Sequence, residues 1–136
     1  MEDILLFIQE EIWLIAALAI FVGLFARRES SSAGNKLSIN QVVQALNAEN
    51  AVLVDVRDNK EFEKGHVVNA INIPHSKITE NVSILDKHKD KQIILTDAVG
   101  QHTGNVGRQL KKAGFTIARM NGGMGEWRQQ GLPVIS

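Results

Sequence analysis

Apolar positions in this chain fall into two regimes. Over residues 12–26 (IWLIAALAIFVGLFA) they run unbroken, and an apolar patch at 4–8 (ILLFI) precedes them, with only Gln9, Glu10 and Glu11 between. From residue 37 onward they come in short runs separated by charged and glycine-containing stretches. The unbroken run alone, at about 1.5 Å per residue, reaches only ~22 Å, short of a hydrocarbon core about 30 Å thick. Extended back to Ile4 the segment is long enough, which predicts a single transmembrane helix over about 4–26 in an N-terminal anchor, 1–27. The two glutamates then sit at headgroup level beside Trp13 as an interfacial anchor, and Arg27 and Arg28 snorkel at the other end. An interfacial amphipathic helix is the first alternative, but the run is apolar all round. A signal peptide is the second, but the start (Met-Glu-Asp) is acidic and no small-x-small site precedes the arginines. Acids before the helix and arginines after it place the N-terminus outside and the rest of the chain in the cytoplasm, as a single-pass membrane protein.

Residues 28–36, rich in serine, glycine and charge, read as a flexible tether, and the soluble domain is expected over 37–136. Within it, Ser38-Ile39-Asn40-Gln41 has the capping-box form, and Val42, Val43, Ala45 and Leu46 supply an apolar stripe, predicting a helix over 40–47. The β-branched run 51–56 (AVLVDV) predicts a strand buried on both faces, followed by a helical turn or two closed by Gly65. Further strands are expected at 70–73, 91–96 and 116–120, and helices around 80–86, over 103–113 with Gly114 at its end, and over 124–130. Alternating short strands and helices predict an α/β domain with a mainly parallel sheet, whose sites form beyond the carboxyl ends of the strands. The loop after Thr96 lies at such an end.

The chain has 136 residues with balanced charge, enough for one modest domain and an appendage. Net charge +0 provides no electrostatic footprint for nucleic acid, which is excluded as a partner. Cysteine is absent, which excludes disulfides, thiolate catalysis and cysteine-ligated metal centres. His75, His88 and His102 show no ligand spacing, so neither metal nor cofactor is expected.

The stretch 52–66 (VLVDVRDNKEFEKGH), followed by Ala70-Ile71-Asn72-Ile73-Pro74, resembles the rhodanese domain signature. Gly122-Gly123-Met124-Gly125-Glu126-Trp127, with Gly131-Leu132-Pro133-Val134, resembles that family's C-terminal signature. The resemblance covers essentially all of 37–134, and with the apolar N-terminus the chain is similar to small membrane-anchored rhodanese-like proteins of bacteria. It implies a three-layer rhodanese-like fold. It also implies that the strand carrying Ile93 to Thr96 should be followed by a catalytic cysteine opening a six-residue loop, whose backbone N–H groups cradle a persulfide or an anionic substrate. Counting back from 111–115 (KKAGF) places that cysteine position on Asp97, and the loop on Asp97, Ala98, Val99, Gly100, Gln101 and His102. The resemblance further implies that Asp55, Arg57 and Glu61 tie the strand to the following helix. His66 is expected to be a satisfied, partly buried side chain of the same signature.

A carboxylate cannot store or pass on a sulfane sulfur, so ordinary sulfur transfer by this chain alone lacks its nucleophile. A cysteine-phosphatase mechanism fails for the same reason, and an aspartyl-phosphate mechanism would need a cationic or metal cluster that the sequence does not offer. A structural role for Asp97 has a physical basis: converging N–H groups before a helix form an anion nest that a carboxylate can fill. The alternative is an ordinary solvated loop carboxylate. Gly104 and Gly107 are expected to permit close packing of the 103–113 helix, not to bind phosphate. Two functions remain: a non-catalytic module tethered to membrane lipid that binds a membrane or cytoplasmic protein, or a sulfur-relay or anion-handling role with the thiol supplied by a partner. Ala16, Ala17, Ala19 and Gly23 form a small-residue face without GxxxG spacing, through which a homodimer could form.

Overall fold

The computed structural model describes the backbone of residues 1–136 and all side chains except those of 29–32. Two compact units result, 1–31 and 32–136. The first is a helix, α1 (Glu2–Ser32), whose segment from Glu2 to Arg28 is long and apolar enough to cross a membrane. Leu14, Phe21 and Phe25 on it are exposed, so the apolar surface faces outward instead of forming a core.

In the second unit a parallel sheet forms from β1 (Asn35–Leu37), β2 (Ala51–Asp55), β3 (Ile71–Asn72), β4 (Gln92–Thr96) and β5 (Thr116–Met120), in the order β1-β5-β4-β2-β3. Apolar clusters cover both of its faces. One packs Val54, Ile93, Leu95, Val106 and Leu110; the other packs Val42, Leu53, Ile94, Met120 and Trp127. The two sets alternate along β2 and β4, which is why these strands read as unbroken apolar runs.

The helices are α2 (Ile39–Asn47), α3 (Asn59–Lys64), α4 (Ile78–Asn81), α5 (Thr103–Lys112) and α6 (Gly123–Gln129). Ser38 caps α2 as predicted: its hydroxyl accepts from the Gln41 N–H at 3.2 Å, and the Gln41 amide oxygen accepts from the Ser38 N–H at 2.9 Å. Gly114 and Gly131, at φ 97 and 74, end α5 and α6. In both cases the next residue reaches back, Phe115 N–H to Leu110 O at 3.2 Å and Leu132 N–H to Trp127 O at 3.3 Å, which is the Schellman pattern. The short helix expected around 80–86 is instead a run of helical turns, with 3₁₀ turns His75–Lys77 and Val82–His88 on either side of α4.

Two further expectations change. Asn35 and Lys36, assigned to the tether, pair with Ala118 and Arg119 of β5, and Ala33 is buried. The side chains of 29–32 lie outside the described residues. Gly65 ends α3 in an extended conformation (φ 161), not the left-handed one, and glycine suits the position because an added Cβ would meet the Arg128 guanidinium at 2.8 Å. Gly107 permits close approach as predicted, but the group it admits is the Ala33 carbonyl, just ahead of β1. Arg119 on β5 donates to Gly34 O at 3.1 Å, and burial, with Arg108 next, lowers its pKa from the ordinary arginine value.

Candidate functional site

The parallel register aligns Asp55 with both Asn72 and Thr96, so β2, β3 and β4 end together at the carboxyl edge of the sheet. The chain leaves β2 toward β3 and leaves β4 toward β5, so the connections diverge there and open a crevice. The loop 97–102 lies at this edge and leads into α5.

Asp97 is only 2% exposed. Its carboxylate accepts the Gly100 N–H on one oxygen and the His102 N–H, at 2.6 Å, on the other. The loop thus folds around the side chain of its own first residue, whose carboxylate takes two of the loop's N–H groups. Gly100 adopts φ 91, a left-handed turn that aims its N–H inward. Thr103 donates its hydroxyl to Gly100 O at 3.3 Å. Val99, at the tip, is 67% exposed and offers nothing charged.

A second set of bonds fixes the loop from behind. Met124 N–H donates to Asp97 O at 2.7 Å and Gly125 N–H to Ala98 O at 2.9 Å, so the first turn of α6 is capped by loop carbonyls. Gly122 and Gly123 are both left-handed (φ 79 and 62), and a Cβ on Gly123 would collide with Asp97 O and the Ala98 carbonyl. This is the physical content of the Gly-Gly-Met-Gly run: it brings a helix N-terminus onto the loop backbone. Trp127 is held under it by an Nε1–H bond to Pro133 O at 3.1 Å.

Beside the loop, Asp55 is fully buried and grips Arg57. The Arg57 Nε lies 3.0 Å from both carboxylate oxygens and an Nη 2.7 Å from one, while the Arg57 backbone N–H also donates to Asp55. The same Nη reaches Gly65 O at 2.8 Å, and Asn72 Nδ2 donates to the carbonyls of Asp55 and Arg57. These residues tie β2 to the end of α3. Glu61 does not: it is exposed and, among the described residues, pairs only with Lys64, at 3.3 Å. Facing solvent on α3, it has no path to the strand end. His66 is half-buried, stacks on Phe62 at 3.7 Å between ring centroids, and pairs its Nδ1 with Phe62 O at 2.7 Å.

The sequence reading missed a contact across the crevice. His75, whose N–H donates to Val56 O, stacks on His102 with ring centroids 3.9 Å apart and planes at 5°. The two are distant in sequence and meet only because β3 and β4 end at the same level. His88 is elsewhere, beside a cavity described below.

Residues 38–130 match the family described as Rhodanese-like domain. The chain belongs to that family. The rhodanese-like chain is 32% identical over 125 residues to the uncharacterized protein YibN of Escherichia coli (strain K12), covering 90% of this chain and 86% of that one. It is 33% identical over 115 residues to the tRNA uridine(34) hydroxylase of Escherichia fergusonii, covering 78% of this chain but 33% of that protein. Among solved structures, a rhodanese-related protein from Thermoplasma volcanium superposes with a TM-score of 0.68 at 27% identity, over 74% of this chain and 97% of that one. A thiosulfate sulfurtransferase from Pseudomonas aeruginosa shares the fold, with a TM-score of 0.64 at 21% identity over 79% of this chain and 22% of that one.

Within this rhodanese-like domain, Asp97→Ala leaves the Gly100 and His102 N–H groups without their acceptor. A charge-assisted bond contributes about 1.5–3 kcal/mol, and water entering the part-exposed loop recovers some of it. The expected result is a stability loss of about 1–3 kcal/mol in urea unfolding, with faster amide exchange at those two groups. Unchanged exchange would contradict the capping role.

Proposed function

We propose that this chain is a non-catalytic rhodanese-like module, tethered to the bacterial inner membrane by α1, that binds a membrane or cytoplasmic protein. The observation that carries the reading is the buried Asp97 carboxylate, which takes the loop N–H groups an anionic substrate or persulfide would need. A carboxylate at this position supplies neither a nucleophilic sulfur nor room for an incoming anion. Acidic residues in the first turn of α1 and Arg27 and Arg28 near its end favour an outside N-terminus and a cytoplasmic domain.

The test is thiocyanate production from thiosulfate and cyanide by the purified full chain. Background rates are expected, and turnover above background would overturn the reading. Asp97→Cys is the complementary experiment. A thiolate there would attack the sulfane sulfur of thiosulfate, release sulfite and form a persulfide. Cyanide would then remove the sulfur as thiocyanate and restore the thiolate. The Gly100 and His102 N–H groups stand ready to stabilise that thiolate, so the variant is expected to acquire persulfide, seen as a mass gain of one sulfur. An Asp97→Cys chain that folds but takes up no sulfur would show that the cradle has lost more than its nucleophile.

A further inference from the structure

On the opposite flank of the sheet from the loop, β2 is only half covered. β4 pairs with all of Ala51–Asp55, but β3 pairs with Val54 and Asp55 alone. The reason is local. Just before β3, Asn69 adopts a left-handed conformation (φ 66) and Ala70 N–H donates back to Val67 O at 3.1 Å, so the chain turns away from β2. In a parallel ladder alternate residues bond to opposite neighbours. Gln92 N–H to Asn50 O and Val56 N–H to Thr96 O assign the even-numbered residues of β2 to β4. Ile73 N–H to Asp55 O assigns the odd-numbered ones to the β3 side. The N–H and C=O of Ala51 and the N–H of Leu53 therefore point at an edge that no strand pairs, where Ala51 is 8% and Leu53 2% exposed.

That edge borders a cavity of about 720 Å³. Its apolar walls lie on both sides of the sheet plane: Val52 and Ile71 pack with one core cluster, and Leu53, Val67, Leu46 and Trp127 with the other. Lys87, His88 and Lys91 line it as well, with Glu49 the one acidic side chain among its lining residues. Lys91 precedes Gln92, which pairs with Ala51, so the cationic side lies at the Ala51 end of the edge.

We propose that this edge binds an extended peptide segment of a partner protein, by strand addition to Ala51–Leu53, with alternating apolar side chains and an acidic residue near Lys87 and Lys91. The inference rests on the binding-module reading above and identifies its binding surface. Each feature is what such a ligand requires: open backbone donors and acceptors, apolar walls above and below for alternate side chains, and opposite charge at one end. At about 3.3 Å per residue the open positions run about 10 Å, the span of a short recognition segment. An acyl chain would fill the walls but leave the Ala51 amide groups buried without partners, an unfavourable arrangement that a peptide backbone avoids.

The full chain in phosphatidylcholine nanodiscs is titrated with Asp-Asp-Val-Leu-Val-Ser-Ser, whose apolar residues reach both walls, and with its reversed sequence, using calorimetry and amide shifts. Binding of one of them is expected, with shifts at Ala51 and Leu53. N-methylation of one alternate set of peptide amides should weaken it about tenfold or more, and of the other set hardly at all. Lys87→Glu with Lys91→Glu, both on the rim and outside the core, should also weaken it about tenfold. Absence of binding, equal effects of the two methylation patterns, or dodecanoate binding at the same residues in place of peptide would each overturn the proposal. Failure here with thiocyanate release still at background would remove this edge and leave the binding-module reading, whereas sulfur turnover would remove that reading itself.

Discussion

Arg57→Ala is expected to destabilise the domain by about 3–5 kcal/mol, the usual cost of removing one partner from a buried ion pair. Asp55 is 0% exposed, and after the substitution its carboxylate retains the backbone N–H of residue 57 as a donor. Gly65 O loses its 2.8 Å donor in the same step, so the end of α3 loosens from β2. The measurement is urea unfolding, where the midpoint should fall with the slope unchanged. Two companions separate charge from packing. Arg57→Lys cannot reproduce the forked geometry and should recover only part of the loss. Asp55→Asn combined with Arg57→Ala should be more stable than Arg57→Ala alone, because no unpaired charge is then buried. A loss below about 1 kcal/mol for Arg57→Ala, which is what the exposed Glu61 and Lys64 pair could contribute at most, would show that water reaches the Asp55 carboxylate.

Gly123→Ala should be nearly as damaging, at roughly 2–5 kcal/mol, from two additive sources. At φ 62 any side chain is strained, and the added methyl would sit 2.9 Å from the Ala98 carbonyl carbon and closer still to Asp97 O. These are backbone atoms of the loop, so relief requires the loop to move, which breaks the bonds from Met124 and Gly125. Gly100→Ala is the control. Its φ of 91 is also unfavourable, but nothing lies within 4 Å of the added atom, so only the strain remains. Gly123→Ala should therefore lose more stability than Gly100→Ala, and it should speed amide exchange at His102, which it does not touch directly. Equal losses would mean that the contact between α6 and the loop contributes little.

What could be read from residues alone was whatever has a local cause. The cap at Ser38 and Gln41, the stops at Gly114 and Gly131, and the buried strands β2, β4 and β5 each follow from side chains within a few positions of the feature. β1 was not legible, because Asn35-Lys36-Leu37 has no apolar alternation and becomes a strand only by pairing with Ala118, Arg119 and Met120. The position of the loop came from its flanking signatures, and a nest-filling Asp97 was one of two readings the residues left open. Glu61 was overestimated because its distance from Asp55 along the chain says nothing about which side of α3 it occupies. The stacking of His75 on His102 and the uncovered edge at Ala51 both depend on strand register, which no local pattern encodes. The uncovered edge depends also on one left-handed residue, Asn69, whose conformation the sequence permits without requiring.

Seen as a binding equilibrium, the Asp97 loop is already saturated. Its ligand is covalently attached, so occupancy is set by an effective concentration that does not vary with the surrounding solution. A cradle open to solvent would gain stability by mass action as thiosulfate or sulfate is added, in proportion to the logarithm of concentration over affinity. Here that increment is built in and cannot be titrated: the melting temperature should not depend on millimolar thiosulfate at matched ionic strength. The domain's rigidity at this edge is thereby uncoupled from sulfur metabolite levels, and a partner docking elsewhere on it would meet the same surface whatever the state of that pool.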